Sequence, residues 1–254
     1  MSRTRTTGWH LFFQILDVGL SVVSGLLLIP LYLKFMSSET YGAWLATGNI
    51  LMWITAVDPG LTAVIEQRVA SAYGGEDFQE VNNLLSAGLL ITCIITLAVL
   101  GVGLAVSSTV TSLIQIAPET DPALIESAFQ LAVGGSTLMI FSYGLYGMSK
   151  GLQGTLASGI VVLINKLAGI VATVVLLYKG LGLLSIPWGR VVAGGVLAGG
   201  NAGYLIWRAM QESGITIQSV SKRKILALTR LMGYNFFGRA GNVISKNIDS
   251  FIIG

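Results

Sequence analysis

Residues Leu84–Val106 read LLSAGLLITCIITLAVLGVGLAV, an apolar run without a single charged side chain. It is much too long for a strand, and it matches the roughly 20 apolar residues that an α-helix needs to cross a bilayer. Comparable windows lie on both sides. Working outward, they occupy Leu11–Leu33, Tyr41–Ile65, Ala123–Met148, Thr155–Tyr178 and Leu184–Trp207, with a last one at Leu231–Gly254 that carries Arg239, Lys246 and Asp249. The sequence therefore predicts an all-α membrane protein, a polytopic helical bundle. The first window is too long for a cleaved leader, and no small-residue cleavage site follows it, so it counts as a permanent span.

Composition agrees. The chain of 254 residues is 53% hydrophobic and 11% charged, less than half the charge of an ordinary soluble domain. Its 32 glycines suit helices that pack closely in lipid. One cysteine, Cys93, excludes an intrachain disulfide, and one histidine, His10, excludes a histidine metal cluster. No cofactor is implied. A net charge of +3 is too small to point to nucleic acid.

The basic residues set the orientation. With the N-terminus in the cytoplasm, Arg3, Arg5, Arg68, Lys150, Arg208, Lys222, Arg223, Lys224 and Arg230 fall inside, and only Lys34 and Lys179 fall outside. The expected organisation is a six-helix lobe over 1–210, a polar cytoplasmic linker over 211–230 and the start of a second lobe over 231–254. The stretch Glu66–Asn83 is polar and amphipathic and reads as lying at the cytoplasmic surface between the second and third helices. Asp58-Pro59-Gly60 interrupts the second window, and Asp before Pro suits a helix restart, with Asp58 as cap and Pro59 in the first turn. The final IDSFIIG (Ile248–Gly254) stops within an apolar segment, which reads as a chain continuing further.

The stretches IPLYLKFMSSETYGAWLA (Ile29–Ala46) and VDPGLTAVIEQRVASAYGGEDFQEVNNLLSAG (Val57–Gly88) resemble the polysaccharide flippases of the multidrug/oligosaccharidyl-lipid/polysaccharide exporter superfamily. KGLQG (Lys150–Gly154) looks like that family's end of the fourth helix, and IDSFIIG like its seventh. The resemblance implies two helical lobes around a central cavity. It also implies alternating-access flipping of undecaprenyl-diphosphate-linked oligosaccharide across the cytoplasmic membrane. This chain would then be the N-terminal lobe and the beginning of the second. The implied partners are the lipid-linked oligosaccharide, membrane lipids and a coupling ion, H+ or Na+.

Charged side chains inside apolar windows are the candidate site. Lys166, next to Asn165, sits mid-helix, where a charge costs about 2.5–3.5 kcal/mol unless it faces a cavity or a partner. Either it attracts an anionic cargo from a cavity wall, or it pairs with Asp17 or Asp58. Arg239 could clamp phosphate, and Lys246 lies two turns beyond it, with Asp249 within pairing distance. Asp17, with Gln14 one turn earlier, could line the cavity, carry the coupling ion or balance a cation. Arg190, beside Pro187 and Trp188, reads as snorkelling to the outer interface. Glycines 195, 199 and 203, and likewise 147 and 151, read as packing faces within the lobe.

Three functions compete. An anionic-lipid flippase is favoured by the excess of buried bases. A cation-coupled multidrug exporter of the same superfamily would need an acidic cavity. A membrane enzyme of envelope sugar assembly would need clustered His and Asp. The chain has no Walker glycine loop, no G-x-S-x-G and no HExxH, and the expectation is a non-enzyme.

Overall fold

The computed structural model describes residues 3–55, 60–114, 118, 120–212, 214–216, 222 and 225–233. Among them the regular structure is entirely helical: α1 (Arg3–Phe35), α2 (Ser38–Thr55), α3 (Leu61–Gly74), α4 (Phe78–Ser107), the single turn α5 (Val110–Leu113), α6 (Pro122–Gly151), α7 (Thr155–Tyr178), a 3-10 turn at Gly182–Leu184 and α8 (Ser185–Gln211). Residues 225–233 are also helical. Five helices among the described residues are long and apolar enough to cross a membrane, within α1, α4, α6, α7 and the Gly182–Gln211 segment. Each contains an apolar window read from the sequence; α7 coincides with its window, and the others run beyond theirs.

The second window is different. It divides into α2 and α3 around Gly60, which caps α3 in the left-handed conformation at φ 76°. Glycine reaches that region without a Cβ penalty. The break is where the sequence places it, but the restart is not, because helix begins at Leu61 and the cap is Gly60 rather than Asp58. Asp58 and Pro59 themselves lie outside the described residues. The Asp-cap and first-turn-Pro arrangement occurs instead at α6, where the Asp121 carboxylate accepts from the Ala123 N–H at 2.9 Å and Pro122 opens the helix.

The amphipathic stretch Glu66–Asn83 is continuous with the helices on either side. It is the end of α3, a tight turn at 75–77 and the start of α4, which Asp77 caps by accepting from the Glu80 N–H. The apolar face of this hairpin is buried: Ile65, Val69 and Val81 are at most 1% exposed and pack with Met148 and Leu152 of α6. The Glu66 carboxylate pairs with Lys150 at 2.8 Å, tying α3 to the end of α6.

At the centre, α6 packs against α3, α4 and α8, while α7 lies between α8 and α1. Small residues make the close contacts. A Cβ on Gly147 would come within 2.7 Å of the Thr62 carbonyl oxygen, and one on Gly189 within 1.9 Å of the Thr173 hydroxyl. Glycines 195, 199 and 203 do not serve this purpose, since a Cβ on any of them would meet nothing within 4 Å. The glycines of α8 that touch neighbours are 189, 194 and 200, because it is their phase on the helix that faces α6 and α7. Hydroxyls add short polar links. Ser142 Oγ donates to the Gly194 carbonyl at 2.9 Å, and Ser158 Oγ to Asn201 Oδ1 at 3.1 Å.

The beginning of the expected linker is not free. Asn82 Nδ2 donates to the Gly214 carbonyl at 2.7 Å, and the Thr216 N–H donates to Asn82 Oδ1 at 2.8 Å. Ile215, Leu228 and Met232 are buried in the cluster that holds the α3–α4 hairpin.

Candidate functional site

A cavity of about 310 Å³ opens where α1, α6, α7 and α8 meet, and two of the charged residues singled out from the sequence, Asp17 and Lys166, line it. Asp17 of α1 and both Asn165 and Lys166 of α7 line it. Tyr143 and Tyr146 of α6 form the facing wall, and Met139, Val162 and Leu197 complete the apolar surround.

The Lys166 ammonium is fully engaged. Its Nζ donates to the Asp17 carboxylate, to the Asp17 carbonyl at 2.6 Å and to Ser21 Oγ. Three N–H donors thus meet three oxygens on one stretch of α1. Ser21 in turn donates to the Asp17 carbonyl at 2.9 Å, so that oxygen serves both helices. The pair remains accessible, with the Lys166 side chain 22% and the Asp17 side chain 40% exposed. Of the two pairings left open by the sequence, Lys166 takes the one with Asp17. A centre that joins opposite charges while staying open to a cavity can exchange partners: a proton or small cation can replace the ammonium on the carboxylate.

Asn165 faces the same cavity, yet its amide is committed to its own helix. Nδ2 donates to the Val162 carbonyl at 2.7 Å. Gln14 is exposed and is not among the residues of this cavity. Arg239, Lys246 and Asp249 lie outside the described residues, so the phosphate clamp expected there has no structural counterpart to examine.

Sequence reasoning passed over Tyr143, Tyr146 and Ser21. All three carried a signal. The two tyrosines are three apart on α6, hence on one face, and Ser21 is one turn beyond Asp17. Each is a polar tip inside an apolar run.

Arg190 corrects another expectation. Its side chain is exposed like that of Trp188, but its tip is turned to α6. Its Nη1 donates to Ser136 Oγ of α6 at 3.1 Å, and it lines a second cavity with Trp44 and Pro187. Trp188 faces outward, 41% exposed.

At the end of α8, Tyr73 Oη donates to Glu212 at 2.8 Å, Arg208 donates to Tyr73, and Arg208 pairs with Glu212 at 2.9 Å. Burial and the hydrogen bond to Glu212 push the Tyr73 hydroxyl above the ordinary tyrosine value, against the pull of Arg208.

These features define a multi-pass helical membrane protein with a charge pair between its first helix and α7. Its fold is that of MATE transporters. A MATE transporter in complex with Br-NRF superposes with a TM-score of 0.76 at 14% identity, over 95% of this chain and 55% of that one. An outward-facing multidrug resistance MATE family transporter of the MOP superfamily matches with 0.76 at 14% identity, over 95% and 54%. The Vibrio cholerae MATE transporter VcmN matches with 0.76 at 17% identity, over 96% and 56%. The chain thus spans about half the length of each, the extent of one lobe. No family model matches the sequence. No curated protein matches it either.

Proposed function

We propose that this chain is one lobe of a membrane exporter that works by alternating access and is driven by cation binding at the Asp17–Lys166 pair. The observation that carries the reading is the pair itself, on two different helices, half-open to a central cavity in a transporter fold. With no cation bound, Lys166 holds α1 against α7. A proton or Na+ on Asp17 releases the ammonium and weakens that contact, which gives the two ion states different helix arrangements. Moving one charge through 100 mV is worth about 2.3 kcal/mol, enough to bias such an equilibrium.

Cargo follows from what remains of the cavity. Lys166 is neutralised, and the facing wall presents two tyrosines, Tyr143 and Tyr146, a residue type that attracts organic cations; Lys150 already stands over the Tyr146 ring at 5.4 Å. Together with the multidrug resistance transporter among the fold neighbours, this favours a cation-coupled exporter of amphipathic cations. The second reading, a lipid-linked oligosaccharide flippase of the cytoplasmic membrane, is supported by the motifs at Ile29–Ala46 and Val57–Gly88 and by the positive second cavity at Arg190.

One preparation separates the two. Proteoliposomes containing this chain together with the second lobe are given an imposed H+ or Na+ gradient, and loss of a cationic dye is followed beside externalisation of a fluorescent polyprenyl-diphosphate sugar. Gradient-driven dye export without sugar externalisation is expected. Sugar externalisation alone would transfer the assignment to the flippase, and neither activity in folded protein would end the transporter reading for this chain.

A further inference from the structure

We propose that the cavity between α2, α6 and α8 is a phosphate-binding site anchored by Arg190. Four Lys and Arg side chains lie in α6, α7 and α8. Three have a carboxylate partner: Lys150 with Glu66, Lys166 with Asp17 and Arg208 with Glu212. Arg190 is the exception. Among the described residues it makes one side-chain hydrogen bond, to the neutral Ser136 hydroxyl, and no ion pair. It stands five residues into α8, about 8 Å along the axis, in a helix apolar enough to span the bilayer. A guanidinium in a spanning helix ordinarily faces a cavity or a partner, and Arg190 is exposed beside the cavity it lines.

The space beside it suits one. The cavity measures about 310 Å³, and its lining includes Trp44 and Leu51 of α2, Ala132 of α6 and Pro187 of α8, with no acidic side chain among the described residues. Gly48 keeps it open, since a Cβ there would meet nothing within 4 Å. Of the five N–H donors of the guanidinium, one is on Ser136; the remaining fork matches two oxygens of a phosphate. A cationic solute is repelled here, and a neutral one gains nothing from the charge. In a bilayer the abundant oxyanion is the phosphate ester. The site therefore holds a phosphate group, supplied either by a lipid headgroup or by a soluble or cargo-borne phosphate, and it is independent of the cation pair on α1 and α7.

The test uses the full chain purified in a maltoside detergent, with inorganic pyrophosphate as the soluble probe and phosphatidylglycerol as the lipid probe. Binding is read by thermal shift for the first and by native mass spectrometry of retained lipid for the second. Wild type should bind at least one probe, Arg190→Lys should retain part of the affinity, and Arg190→Gln should bind about tenfold more weakly or worse. Gly48→Leu fills the cavity without touching the cation and should also lose binding, which keeps the test decisive if Arg190→Gln does not fold. Retention of phosphatidylglycerol with no pyrophosphate response assigns the site to a headgroup; the converse assigns it to soluble phosphate. Equal binding by wild type and the folded variants, or no binding of either probe to folded wild type, overturns the proposal.

Discussion

Lys166 illustrates how one side chain settles its charge in lipid. Its three donors meet three oxygens of α1, all within the span Asp17–Ser21. Removing either charge strands the other at a depth where that costs about 2.5–3.5 kcal/mol. Lys166→Ala and Asp17→Ala should each lower the thermal stability of the detergent-purified protein. The double substitution should recover most of the loss, with a coupling of about 1–3 kcal/mol. Additive losses in that double-mutant cycle would mean the two side chains do not depend on each other. A second residue-scale expectation concerns pH. The hydroxyl of Tyr73 ionises at higher pH in the folded protein than in the unfolded chain, because burial and Glu212 disfavour the anion. The stability it contributes is complete below the ordinary tyrosine value of about 10 and is lost as pH rises through the folded value. Unfolding curves recorded above pH 10 should fall more steeply for wild type than for Tyr73→Phe. At this scale the sequence disclosed the charges and not their geometry. Lys166 needed a partner because it is a cation in mid-helix, and that much was readable. Whether Asp17 or Asp58 supplied it depended on which helix lay against α7, a tertiary fact. Arg190 was misread for the same reason: Trp188 next to it faces outward, but two residues along a helix turn the side chain by roughly 200° toward α6.

Helices are held here by the phase of their small residues. Gly147 and Gly189 sit against neighbouring backbone or a buried hydroxyl, whereas glycines 195 and 199 face open space. Gly147→Val and Gly189→Ala should destabilise the folded protein by about 1–3 kcal/mol, since the atoms they meet are not free ends of flexible chains. Gly195→Ala and Gly199→Ala should stay within about 0.5 kcal/mol of wild type. A scan of these four by detergent melting temperature decides the matter; a large loss at 195 or 199 would mean that a further element covers that face. The long helices were legible because apolar windows of bilayer length leave few alternatives. The every-fourth spacing of glycines 195, 199 and 203 was legible too, but its direction was not, because spacing specifies a face and not what the face meets. The second window fails as one continuous helix for a local reason. Gly60 adopts φ 76°, which no helix interior accommodates. The remaining helices, α2 and α3, are about 27 and 21 Å long at 1.5 Å per residue, each short of the roughly 30 Å hydrocarbon core.

As a whole the described bundle is graded. In the apolar window of α6, 50% of residues are buried, against 6% for α1, which contacts little besides α7. This peripheral helix is held to α7 by the charge pair together with Phe13 against Gly159 and Phe35 against Tyr178, and it is the element best placed to move when the pair opens. The basic residues near Lys150 and 208–230 lead us to propose that these ends face the cytoplasm; a reporter active only in the cytoplasm should then work when fused after Lys150 or within 211–224 and fail near Asp121. The reverse pattern would invert the bundle. The central claim, that a cation competes with Lys166 for Asp17, is tested most directly by cation binding to the purified full chain. Binding is measured as Na+ titration followed by thermal shift and as proton release on a pH jump. Wild type should respond to one of the two ions, Lys166→Ala should bind that ion more tightly because its competitor is gone, and Asp17→Asn should not respond. An Asp17→Asn protein that binds the ion as wild type does would contradict the claim.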